Sequence, residues 1–150
     1  MEVSYEVGRW CAAALLATAD GRYVMQRRDD KPGLLLPDHW ACFGGTVDPG
    51  EDGAAAMRRE LREELELETR EVTLYTEMTL RLPLPKAPRW DRMSFFHVPV
   101  TDDEIARMVV HEGQGKGVFA PEALLSEPKV APWDLCAILM HARERRLFPG

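Results

Sequence analysis

Three glutamates, Glu60, Glu63 and Glu64, crowd the end of one segment, GGTVDPGEDGAAAMRRELREEL, which runs from Gly44 to Leu65. Like charges one helical turn apart oppose a helix by roughly 0.2–0.5 kcal/mol per pair. The segment otherwise favours one. Ala54, Ala55, Ala56 and Met57 have high helix propensity, and Met57, Leu61 and Leu65 form an apolar stripe. A helix is therefore predicted from Asp52 to about Leu65, with Glu51 and Asp52 at its positive end. Successive helical residues turn by about 100°. Glu60 and Glu64 then lie on one side, with Glu63 beside them. Arg59 with Glu63, and Arg62 with Glu66, have i,i+4 spacing and offset part of the repulsion. A hard divalent cation would offset it more fully, since Mg²⁺ prefers carboxylate, carbonyl and water oxygens. A solvated acidic face is the simpler reading of such a run. The double glycine before it and the turn at Asp48-Pro49-Gly50 favour a ligand site, because glycine lets backbone approach a ligand closely.

The rest of the chain alternates strand-like and helix-like stretches. Trp10 to Thr18 and Tyr23 to Arg27 read as strands joined through Asp20-Gly21. Residues 29–38 read as a loop, His39 to Phe43 as a short strand and Gly45 to Gly50 as a loop. Residues 71–82 and 91–100 read as strands separated by a turn with Pro83, Pro85 and Pro88. Thr101, with Glu104 three residues on, should cap a helix to about Val109. Val118 and Phe119 suggest a short strand, and Pro132 to Arg146 a last helix. This interleaving indicates a mixed α/β class. The length of 150 residues suits one domain over residues 1–150.

The formal charge of −6 argues against nonspecific nucleic-acid binding, which needs a basic footprint. It also means that an anionic substrate needs arginine or a metal. The apolar run from Cys11 to Ala19 is too short to span a membrane, and Glu2 and Glu6 before it do not suit a signal peptide. Cys11, Cys42 and Cys136 form no ligand cluster and suit a reducing compartment, so a cytoplasmic location is expected. His39, His97, His111 and His141 lack zinc spacing and are given no catalytic role.

Gly45, Glu51, Arg59, Glu60, Leu61, Glu63, Glu64 and Leu67 stand in the register of the Nudix box, G-x5-E-x7-R-E-U-x-E-E-x-G-U, where U is aliphatic. The chain resembles the Nudix hydrolase superfamily, with MutT-like features. One position departs: the late glycine of the box is Glu66 here, which bears on how the helix ends. The resemblance implies an α/β/α sandwich with a mixed sheet between helices, the box forming loop-helix-loop. It implies hydrolysis of a nucleoside diphosphate linked to another group, such as a nucleoside triphosphate or nucleotide-sugar, with Mg²⁺ or Mn²⁺. By resemblance Glu60, Glu63 and Glu64 serve the metal, the Gly44 carbonyl is a further ligand, and Arg59 orients a carboxylate such as Glu51. Which glutamate acts as base stays open.

Outside the box, MQRRDD at 25–30 resembles a MutT-type strand whose arginines meet substrate phosphate, which points to Arg28 and then Arg27. A pair of solvated arginines is the alternative. HEGQG at 111–115 resembles a loop carrying an extra metal-binding glutamate, here Glu112; a solvated loop acid is its alternative. Trp40, just before the box strand, suits the core first and a wall of the substrate cleft second. Trp90 and Trp133 are stacking candidates, though plain packing is the commoner role. MutT-type enzymes that read oxidised guanine place an asparagine before the last helix. VAPWD has none here, which leaves Asp134 as a group that could bond a base edge. Two other functions compete: a nucleotide-sensing module without hydrolysis, which would normally lose box acids, and a diphosphate-lipid isomerase, for which only Cys42 speaks. Homodimers are common in the family, but no stretch of this sequence marks an interface.

Overall fold

The computed structural model describes residues 7–84 and 89–149. Glu2 and Glu6, and Pro85 and Pro88 of the proline-rich turn, lie outside them. Strands β1 (Val7–Ala17), β2 (Tyr23–Arg27), β3 (Trp40–Ala41) and β4 (Gly44–Thr46) precede helix α1 (Gly53–Leu65). Then follow β5 (Thr73–Leu82), β6 (Arg89–Pro99), α2 (Asp102–Arg107), β7 (Gly115–Phe119), α3 (Pro121–Leu124) and α4 (Pro132–Leu147). The strands form one mixed sheet, ordered β3-β2-β1-β6-β5, with β4 also on β1 and β7 also on β2. β1 and β6 are parallel, and the other pairs are antiparallel.

The unbroken apolar run of β1 reflects burial on both faces. Ala12, Ala14 and Leu16 pack toward Met57, Leu61 and Leu65 of α1, with Ile105 of α2 in the same cluster. Ala13, Leu15 and Ala17 pack toward Leu124 of α3 and Ala137 and Ile138 of α4. The α1 stripe predicted from sequence is fully buried, and each such side chain contributes about 1.5–3 kcal/mol. The expected Asp20-Gly21 turn brings Leu16 opposite Val24. Thr101 and Glu104 form the expected capping box. α3 has four residues, too few to leave a periodic signal.

The predicted loop at 45–50 is corrected at its start. Gly44–Thr46 is strand β4, paired with Cys11–Ala13 of β1. Glycine makes this possible, since a Cβ on Gly44 would collide with the Ala12 carbonyl oxygen. The predicted strand His39–Phe43 shortens to two residues for a related reason. The chain leaves β2 after Ala41 and crosses to β1, where the Ala14 amide donates to the Phe43 carbonyl at 2.9 Å.

Glu66 takes the left-handed conformation (φ 54°, ψ 34°) that the box normally gives to glycine. It does not pair with Arg62, as its spacing suggested. Arg62 lies 3.8 Å from Glu68, and the Glu66 carboxylate meets His111 Nε2 at 2.8 Å. Both partners of that contact are half exposed, so it is worth little. Glu66→Gly should therefore stabilise the fold by about 0.5–1 kcal/mol, read as a higher denaturation midpoint.

Candidate active site

α1 presents Glu60 and Glu64 to the glycines of β4. Glu64 is almost fully buried, and its Oε2 accepts the Gly44 amide at 3.1 Å. Glu60 lies against Gly45, where a Cβ would collide with its carboxylate. The box glycines thus make room for the box acids. Burial pushes the Glu64 carboxyl up to about 9, helped by the neighbouring Glu112 and then Glu60. Burial raises Glu60 as well, against the pull of Arg59.

Arg59 holds the other side of this arrangement. Its Nε and Nη2 donate to the two oxygens of Glu51, each at 2.9 Å. Nη1 reaches Glu60 at 2.9 Å and Glu63 at 3.3 Å, and Nη2 also donates to the Thr46 carbonyl. The guanidinium holds the Glu51 carboxyl down at about 2, with help from the Asp48 amide. The orienting role expected of Arg59 toward Glu51 has the geometry it needs.

A cavity of about 460 Å³ opens beside these groups. Glu60, Glu112, Gly44 and Gly45 line one part of it, and Leu80, Leu82, Met93 and Trp133 line another. Glu112 lies near Glu60 and Glu64 and raises both carboxyls. Glu63 does not join them at the cavity: it is largely exposed and turned to Arg59. Among the described residues, no three His, Cys, Asp or Glu side chains are set to hold a metal ion. Glu60, Glu64 and Glu112 nevertheless fit one chemically. They offer hard oxygen donors, and burial, with Glu112 and Glu60 adding to it, raises the Glu64 carboxyl, a cost that a bound cation would offset.

The two candidate arginines separate. Arg28 lines the cavity and donates Nε to the Leu35 carbonyl at 3.0 Å. Arg27 does not line it. It pairs with Asp38 at 2.8 Å and lies over the Trp40 ring. Trp40 is partly buried at the edge of the core, where it packs edge-on against Phe119, and it does not line the cavity. Trp133 reaches the cavity wall, and Trp90 does not. Asp134 is buried in the wall: Oδ2 accepts the Cys42 amide at 2.9 Å, Oδ1 has no hydrogen-bond partner among the described residues, and burial pushes the carboxyl up to about 7. Sequence reasoning missed Arg9, the Arg89–Asp91 pair and the apolar wall of Leu80, Leu82 and Met93. Period-2 alternation from Ala13 and Cys11 places Arg9 on the cavity face, a signal that needs the location of the cavity to be read.

A family model for the NUDIX domain matches residues 8–138. The chain belongs to that family. The nucleoside triphosphatase NudI of Escherichia coli is 45% identical over 60 residues, which cover 40% of this chain and 39% of that protein. The match thus spans about two fifths of the relative's length. Among solved Nudix-like structures, the Escherichia coli ORF135 protein superposes with a TM-score of 0.73 and 26% identity, covering 95% of this chain and 94% of that one. A mutT/nudix family protein from Listeria innocua gives 0.75 at 18% identity, covering 97% and 100%. The Escherichia coli dihydroneopterin triphosphate pyrophosphohydrolase gives 0.70 at 18%, covering 93% and 99%. The last two likenesses speak for the Nudix fold alone. No helix among the described residues is long and apolar enough to cross a membrane.

Proposed function

We propose that this chain is a Mg²⁺- or Mn²⁺-dependent pyrophosphohydrolase. Its substrate is a nucleoside diphosphate linked to another group, with nucleoside triphosphates first and nucleotide-sugars second. The observation that carries this reading is one cavity that joins the box acid Glu60 and the loop acid Glu112 to Arg28 and to an apolar wall. Such a cavity suits a molecule with a polyphosphate at one end and a base at the other. The name of NudI, a nucleoside triphosphatase, points the same way.

In this reading Glu60, Glu64, Glu112 and the Gly44 carbonyl would hold the metal, while Glu63, expected among them, is turned to Arg59 instead. When bound, it neutralises phosphate charge and acidifies a water. Arg59 fixes Glu51 and Glu60, and one of the carboxylates accepts the proton of the attacking water. Arg28 meets phosphate. Arg28→Ala should raise KM about tenfold or more, since a charge-assisted hydrogen bond is lost. Arg27→Ala should leave KM nearly unchanged because Asp38 already holds Arg27. Steady-state kinetics of the two variants check this. Three free thiols suit one domain working in a reducing, cytoplasmic setting.

A hydrolysis screen with Mg²⁺ and Mn²⁺ tests the proposal. It covers canonical and oxidised nucleoside triphosphates, nucleotide-sugars, ADP-ribose and dinucleoside polyphosphates. Cleavage by wild type but not by Glu64→Gln is expected. Nucleotide binding without cleavage would favour a sensing module instead.

A further inference from the structure

Three arginines line the cavity, and their charges are not equally engaged. Arg89 is held by both oxygens of the buried Asp91, at 2.7 and 3.0 Å. Arg28 and Arg9 make no ion pair among the described residues; each donates only to neutral oxygens. Arg9 directs Nε and Nη2 to one atom, Thr46 Oγ1, at 3.1 and 2.8 Å. A guanidinium has five N–H donors in a planar fork, so donors remain after that contact.

The strand registers place Arg9 at a junction. Thr46, its anchor, adjoins Gly45, where the Glu60 carboxylate packs, so the two lie one strand residue or about 3.3 Å apart along β4. On the other side Arg9 stands opposite Asp91 of β6, and Asp91 stands opposite Leu80 of β5. Arg9 therefore lies where the acidic part of the cavity meets its apolar wall. A nucleotide bound across the cavity has its base on the apolar wall and its polyphosphate at the acids. The group at the junction is the phosphoryl attached to the nucleoside.

We propose that Arg9 binds that nucleoside-proximal phosphoryl group, held in position by Thr46. This inference rests on the pyrophosphohydrolase reading for the orientation of the substrate. It makes Arg9 the residue that grips the nucleoside monophosphate half, so that half and the released inorganic pyrophosphate should depend on Arg9 differently.

The test is binding to the intact chain with Mg²⁺, by calorimetry and thermal shift. The probes are AMP, CMP, GMP, UMP and inorganic pyrophosphate, each with wild type, Arg9→Gln and Arg9→Lys. Arg9→Gln should weaken the best nucleoside monophosphate roughly ten- to a hundredfold, as befits loss of a charged hydrogen bond. It should change pyrophosphate affinity less than twofold, and Arg9→Lys should recover part of the loss. Because Arg9 is exposed, the variants should melt as wild type does without ligand, which separates a contact from a folding role. Equal losses for monophosphate and pyrophosphate, unaltered monophosphate binding, or no monophosphate binding by wild type would each overturn the assignment. Hydrolysis is scored separately. Cleavage by wild type with monophosphate binding indifferent to Arg9 sinks only this inference. Monophosphate binding lost with Arg9 but no cleavage of any substrate sinks only the hydrolase reading.

Discussion

Glu64→Gln should lower kcat by about two to four orders of magnitude while making the metal-free protein more stable in alkali. Both effects follow from one burial. Glu64 is enclosed between α1 and β4, and burial together with Glu112 and Glu60 pushes its carboxyl up to about 9. In the unfolded chain it returns to the ordinary carboxylate range near 4.5. Between those values the folded state keeps a proton that the unfolded state has lost. Metal-free stability therefore falls as pH rises through this window, and the contribution is gone above about 9. Asp134 acts in the same sense, its contribution being lost as pH rises through about 7. His141, lowered to about 4 by burial, acts oppositely and only below its ordinary value of 6.5. Above pH 7 the His141 contribution is over and that of Asp134 fades, while the partly buried thiols of Cys11 and Cys42, also raised, add a smaller decline as pH nears 9. Glutamine keeps an oxygen for the Gly44 amide and cannot ionise. Denaturation of the metal-free proteins from pH 7 to 9 should show a clearly steeper decline for wild type than for Glu64→Gln. Parallel declines would place the titrating group elsewhere.

Gly44→Ala should damage stability and activity together. The Cβ of alanine would run into the Ala12 carbonyl oxygen and press on the Ala13 backbone. Neither obstacle is a flexible side-chain end, so the strand must move. Overpacking of this kind costs about 1–3 kcal/mol, and rigid backbone on both sides favours the upper part of that range. The displacement matters for function because Gly44 and Gly45 set where Glu64 and Glu60 sit. A fall in the denaturation midpoint with at least tenfold loss of kcat/KM is expected. Gly50→Ala offers a contrast: its surroundings are open, and its cost comes from positive φ alone. If Gly44→Ala behaved as mildly as Gly50→Ala, the close contact between β4 and β1 would not be what fixes the acids.

The sequence was most legible where one local pattern decides one outcome. The apolar stripe of α1, the turn at Asp20-Gly21 and the capping box at Thr101 each depend on neighbours a few residues away, and each stands in the structure as read. Strand β4 was not legible because three residues with two glycines carry no propensity; only β1 makes them a strand. The same limit applies to the site. Box spacing located Glu60, Glu64, Arg59 and Glu51, whose contacts lie within one segment. Arg27 and Arg28 are adjacent and looked alike. Asp38, eleven residues on, removes one of them from the cavity. Arg9 and Leu80 meet the site only through the order of strands, which no single stretch encodes.

The central claim is that Glu64 stays protonated in the metal-free protein and releases its proton to solvent when a divalent cation binds the acids. The most direct measurement is calorimetric titration of Mg²⁺ into the protein at pH 8, repeated in buffers of different ionisation enthalpy. Wild type should release about one proton per bound ion, and Glu64→Gln close to none. Binding without proton release by wild type, or equal release from both proteins, would contradict the claim.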